Sequence, residues 1–389
     1  MRLSPRRATA LWVAWCLFYL GGLLAAAGIG QRYPGDESHF IGTSQLFAKG
    51  ITLDLLRHYP EMSGPLPFSL FGWWGNVFGW QLAVMRMFAV TVAFLTLMLL
   101  HRLLRDVLSS EPAALAAGMG LCLNPYMAAM SIFLYTDMIA LLFVVLSLIA
   151  FQRRSLWLLA VSLACALLCR QYLIFLPLAV MLSGGRSMAI AAAISAGPLA
   201  ACIALWGGLA PDSNVRRMYL TERFSFHVSA AIGYTGLLFI YLLPFLLVRW
   251  RRFVPHSVTA VLAACLSLLY WWFPIRPSRV AFEAGFPTVG IFDRALHAVA
   301  PHPMLRDVIY WIAFGFGLVV VAGFWRGARR SAGFTQFASI ATLCFLSMMP
   351  LSYLYWEKYA LPVLPIAAIA VLTAPQPSNG PQFAPGRIQ

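Results

Sequence analysis

The run LAVMRMFAVTVAFLTLMLL, residues 82–100, carries a single charged side chain, Arg86. A helix of that length rises about 28 Å, close to the hydrocarbon thickness of a bilayer. Lipid offers no partner to a backbone N–H or C=O, so such a run must bond within itself as a helix. Comparable runs fill the chain: Ala8–Ile29 before it, then Pro112–Met130 and Tyr135–Phe151. Two short apolar halves, Leu156–Leu168 and Tyr172–Leu182, are parted by Arg170-Gln171. Ala189–Leu209, Ser229–Val248, Val258–Phe273, Val308–Phe324, Phe334–Leu351 and Tyr359–Ala374 complete the set. The expected fold is all-α: a polytopic transmembrane helical bundle of twelve spans, or ten if the two halves form one unit.

Composition agrees. Hydrophobic residues make up 61% of the 389, charged ones only 11%, and the mean hydropathy is +0.78. Soluble domains are roughly half apolar, and no strand-period alternation points to an outer-membrane barrel. The net charge of +15 follows topology rather than nucleic acid. With twelve crossings, fifteen of the 28 basic residues fall in cytoplasmic segments, among them Arg105, Arg153, Arg154 and the cluster Arg249, Arg251 and Arg252. Of the 13 acids only Asp106 and Glu111 share that side, the bias expected of cytoplasmic loops. The seven cysteines lie inside or directly beside apolar spans and show no metal spacing. The basic, Ala-rich start resembles a signal peptide but is span-length and is expected to be retained as a helix. One membrane domain over residues 1–374 is expected, with a disordered cytoplasmic tail at 375–389. The preference for Arg over Lys, with only Lys49 and Lys358 present, fits a GC-rich genome and so a bacterial inner membrane.

The polar residues collect outside. Three outer loops are long (Gly30–Gln81, Pro211–Val228, Pro274–Asp307), and the first is the richest. It holds Asp36-Glu37 after Pro34-Gly35, then a stretch at 38–49 expected to form a short amphipathic interfacial helix presenting His39 and Gln45 to the carboxylates. A Pro/Gly-rich return, Tyr59-Pro60-Glu61-Met62-Ser63-Gly64-Pro65-Leu66-Pro67, follows, with Phe71, Trp73, Trp74, Phe78 and Trp80 as an interfacial aromatic belt. A carboxylate here could take the proton from an acceptor hydroxyl as its oxygen attacks an anomeric carbon; it could also simply cap the helix. A transporter instead places ionisable groups near the midplane.

These pieces resemble the GT-C glycosyltransferases, polytopic enzymes that use a polyprenyl-phosphate sugar at the outer face. Within them the chain is most similar to the alpha-1,2-glucosyltransferase family acting on dolichol-linked oligosaccharide. The resemblance is carried by Asp36-Glu37-Ser38-His39-Phe40 with Gln45, Tyr135-Thr136-Asp137, Arg170-Gln171, His227-Val228 and Glu357-Lys358-Tyr359, in that order. It departs at the return, where the family's Trp-Asp-Pro is His58-Tyr59-Pro60, and at Lys358, where the family has arginine.

The resemblance implies an inverting transfer of a hexose, glucose by analogy, to a lipid-linked or cell-envelope glycan. Asp36 is the first candidate for the base and Glu37 the second. His39, Gln45, Asp137, Arg170, Gln171, His227 and Lys358 are the candidate substrate contacts. Arg170 could grip a lipid phosphate or pair with Asp137; Lys358 could do the same or pair with Glu357. No metal or other cofactor is expected, since cationic side chains can stabilise a departing phosphate. The expected partners are the bilayer, the polyprenyl-phosphate sugar and the acceptor, but no nucleic acid. A flippase for lipid-linked sugars is the alternative, and a non-catalytic assembly protein a third reading.

Overall fold

In a computed structural model, the structure describes residues 4–31, 36–211, 226–255, 257–277, 282, 285, 288–351 and 355–374. The tail at 375–389, Glu222-Arg223 and Arg279 lie outside the described residues. Among the described residues there is no strand, and each of the twelve apolar runs returns as helix. The chain order is α1 (Pro5–Ala27), α2 (Glu37–Ala48), α3 (Leu53–His58), α4 (Leu66–Phe78), α5 (Leu82–Leu108), α6 (Glu111–Cys122), α7 (Pro125–Ile132), α8 (Thr136–Gln152) and α9 (Leu156–Cys169). After a 3₁₀ turn at Gln171–Ile174 come α10 (Phe175–Ser183), α11 (Arg186–Ser195), α12 (Gly197–Trp206), α13 (Val228–Phe253), α14 (Ser257–Ser267), α15 (Ile291–Val299), α16 (Pro303–Arg330), α17 (Gly333–Met348) and α18 (Leu364–Thr373). Six described helical stretches are long and apolar enough to cross a bilayer, five apolar helices are shorter, and α6 with α7 forms one bent pair.

That pair corrects the straight span expected over Pro112–Met130: the two helices meet at 77°. The cause is Asn124-Pro125. Proline lacks the N–H that would continue α6, while the Asn124 amide oxygen accepts from the N–H groups of Tyr126 and Met127 and starts a new helix. The break between α9 and α10 lies at Arg170, whose extended backbone interrupts the ladder. Small residues bring helices together, as in other membrane bundles. Gly317 of α16 meets the Thr235 carbonyl of α13, and Gly118 of α6 takes the Trp12 ring of α1.

The first outer segment folds as the interfacial helix expected at 38–49, here α2, and α4 lies on it. Gly72 of α4 sits so near the Ser44 carbonyl and Ala48 N–H that a larger side chain has no room. The aromatic belt is only partly realised. Trp73 and Phe78 face outward, but Phe71 is fully buried in the core against Phe88.

Candidate active site

Asp36 and Glu37 are adjacent in sequence and opposite in circumstance. Asp36 occupies the N-cap of α2, where its carboxylate makes no capping bond, and its side chain is 47% exposed. Glu37 begins the helix and turns inward, 9% exposed. Its two oxygens take a forked pair of bonds from Arg86, Nε at 3.0 Å and Nη2 at 2.6 Å, and Oε1 also accepts from the Leu134 N–H. Arg86 spends its remaining nitrogen on the carbonyls of Gly28 and Ile29 at the end of α1. The one charge in the run 82–100 is therefore a clamp joining α1, α2, α5 and the start of α8. Glu37 is engaged in that clamp, whereas the Asp36 side chain is about half exposed.

Facing Asp36 is Lys358, 322 residues away, with Nζ 3.5 Å from Oδ2. The ammonium lies 5.4 Å from the centre of the Tyr135 ring and 6.0 Å from those of Trp356 and Tyr359. This aromatic wall suits a cation and leaves it reachable by an anion. Lys358 thus pairs across the molecule, and its sequence neighbour Glu357 turns the other way.

His39, one turn into α2, is an exposed imidazole whose Nδ1 lies 2.6 Å from Oε1 of Glu61 in the Pro-rich return. Thr43 donates to the same oxygen. Glu61 is buried, and burial raises its pKa above the ordinary glutamate range, against the lowering effect of His39, Thr43 and Arg170. Nothing in the sequence marked Glu61 out: it lay among turn residues, and its partner is 22 positions upstream.

Below this open layer lies a buried one. Arg170 pairs with Asp137 (Nη2 to Oδ2, 2.6 Å) and donates to the Ser63 hydroxyl at 2.9 Å. Gln171 donates to the Met62 carbonyl at 2.7 Å, and the Gly64 N–H to the Cys169 carbonyl. The break at 170–171 and the return at 62–64 therefore brace each other. The Tyr359 ring connects the layers, beside Lys358 on one side and within 6.0 Å of Arg170 on the other.

Two expected contacts stand apart. Gln45 does not gather with His39: six residues further along it lies about 120° round the helix, and about 13 Å along the axis from Asp36. It lines a separate hollow of about 330 Å³ with Lys49, Asn76 and Trp80. His227 caps the start of α13, its backbone N–H bonded to the Pro350 carbonyl at 2.7 Å.

Residues 67–192, which include Arg86, Asp137, Arg170 and Gln171, match the model of the DIE2/ALG10 family. Over that segment the chain is similar to the DIE2/ALG10 family. Asp36, His39, Glu61, His227 and Lys358 fall outside the matched segment. Among solved structures, ArnT from Cupriavidus metallidurans in the apo state is similar at 14% identity, over 93% of this chain and 76% of that one, with a TM-score of 0.37. No curated protein matches.

Proposed function

We propose that the protein transfers a hexose, glucose by its family resemblance, from a polyprenyl phosphate to a lipid-linked or envelope glycan at the outer face of a bacterial inner membrane. Asp36 is the base. It takes the proton of the acceptor hydroxyl as that oxygen attacks the anomeric carbon, and polyprenyl phosphate leaves from the opposite face with inversion. Lys358 receives the departing phosphate charge, and His39 orients the acceptor or the phosphate. The observation that supports this reading is the partly exposed Asp36–Lys358 pair, a base beside a cation at the mouth of a buried polar layer. A preorganised cation aimed at developing charge stabilises the transition state.

Asp36→Asn tests it. General-base catalysis contributes about 10²- to 10⁴-fold, so the variant should lose at least about a hundredfold in transfer while still binding polyprenyl phosphate. Unchanged transfer by Asp36→Asn excludes Asp36 as the base, and unchanged transfer by Asp36→Asn/Glu37→Gln excludes a base anywhere in this pair. The reaction is proposed to need no metal: transfer should survive chelation, and loss restored by Mg²⁺ or Mn²⁺ would show otherwise.

A further inference from the structure

Glu357 is almost fully buried, yet it lies next to the exposed catalytic layer. Its Oε1 accepts from the N–H of Asp293 at 2.8 Å, and its Oε2 from the N–H of Phe292 at 2.8 Å and the hydroxyls of Tyr241 and Tyr126 at 3.2 and 3.3 Å. It therefore caps α15, in the third outer segment, from 64 residues away. Tyr126 also accepts from the Ile291 N–H, and the Glu357 N–H donates to the Val289 carbonyl. Gly290 makes the approach possible, because a Cβ there would run into the Glu357 carboxyl and the Tyr126 hydroxyl. On the other flank, Tyr234 bonds both the N–H and the carbonyl of Trp356. A buried carboxylate with four donors is bound far more firmly than a surface turn requires. The residue it holds in place is the next one, Lys358.

We infer that Glu357 is a positioning residue for the donor: by capping α15 it fixes the turn at 356–359 and holds Lys358 where a lipid-linked phosphate meets it. The third outer segment thereby becomes part of the donor site without touching the donor's charge. The inference rests on the reading of Lys358 as the phosphate-binding cation.

The test uses binding of a short-chain polyprenyl phosphate to the full-length purified protein, a probe that needs neither the sugar nor the acceptor. Lys358→Met should weaken binding about tenfold, as loss of a charge-assisted bond implies. Glu357→Gln and Gly290→Ala should weaken it several-fold in the wild-type background and not at all in the Lys358→Met background, the signature of action through one residue. In turnover Glu357→Gln and Gly290→Ala should lower kcat/KM for the donor in the wild-type background and not in the Lys358→Met background. Tyr241→Phe removes a single donor to the carboxylate and gives a milder version of the same result if Glu357→Gln fails to fold. Wild-type binding by Tyr241→Phe and Gly290→Ala, or an equal loss in both backgrounds, overturns the coupling while leaving Lys358 as the phosphate contact. Wild-type binding by Lys358→Met removes the phosphate reading and the inference with it.

Discussion

At the scale of single residues, burial decides what each carboxylate can do. Glu37 and Asp36 share a helix start, but only Glu37 has its charge taken from water and neutralised by Arg86. Breaking a buried pair by removing one partner costs about 3–5 kcal/mol, because the other charge stays uncompensated. Arg86→Met should therefore lower the unfolding temperature sharply and reduce yield, whereas Asp36→Asn should leave thermal unfolding in detergent close to wild type. Glu61 provides a pH test. Its pKa is raised in the folded protein, so between the ordinary glutamate range and that raised value the native state holds a proton that the unfolded chain has released. Stability then falls as pH rises through that window and is fully present below it. Melting curves from acid to neutral pH should show wild type losing ground to Glu61→Gln as pH rises. Parallel curves would mean that Glu61 does not titrate differently on folding.

At the scale of elements, the site depends on close approaches at glycines and at one break. Gly64 lies so tightly on the Leu168 carbonyl at the end of α9 that a Cβ has nowhere to go. Gly64→Ala should cost about 1–3 kcal/mol, the usual penalty of overpacking. It should also impair transfer, because Ser63 would move off Arg170; activity assays on detergent-solubilised protein with matched folded fractions check both. The Asn124 cap controls the bend into α7. Asn124→Ala should cost about 1 kcal/mol, read as a lower melting temperature with smaller effect on donor binding. The α2 element was legible in advance, since its amphipathic pattern and its limits at 38–49 came through within one residue. The helix phase that removes Gln45 from the site was legible too, because six residues cannot return a side chain to the same face. The bend at Asn124-Pro125 carried a proline signal inside an otherwise continuous apolar run.

At the scale of the molecule, the charge bias predicts an orientation. A single cysteine placed at the exposed Asp54 position, in a cysteine-free background, should react with an impermeant maleimide from outside intact cells, and one at Arg251 only after permeabilisation. The reverse pattern would invert the topology and move the Asp36 site to the cytoplasm. The buried Asp137–Arg170 pair should behave as a coupled unit: Asp137→Leu and Arg170→Met each destabilise strongly, and the double variant recovers part of the loss.

The sequence by itself determined the class of molecule, because runs as apolar as 82–100 have only one stable form in lipid. It also supplied the residue types, Asp36 with Glu37, Arg170 with Gln171, and Glu357 with Lys358. Tertiary structure alone decided where each member of each pair lies and what it touches. Arg86 comes from α5 to occupy Glu37, Lys358 reaches across 322 positions to Asp36, and Glu357 is drawn inward to cap α15. Periodicity reports the face a side chain leaves its own helix from; the partner that waits there is set by how the helices pack.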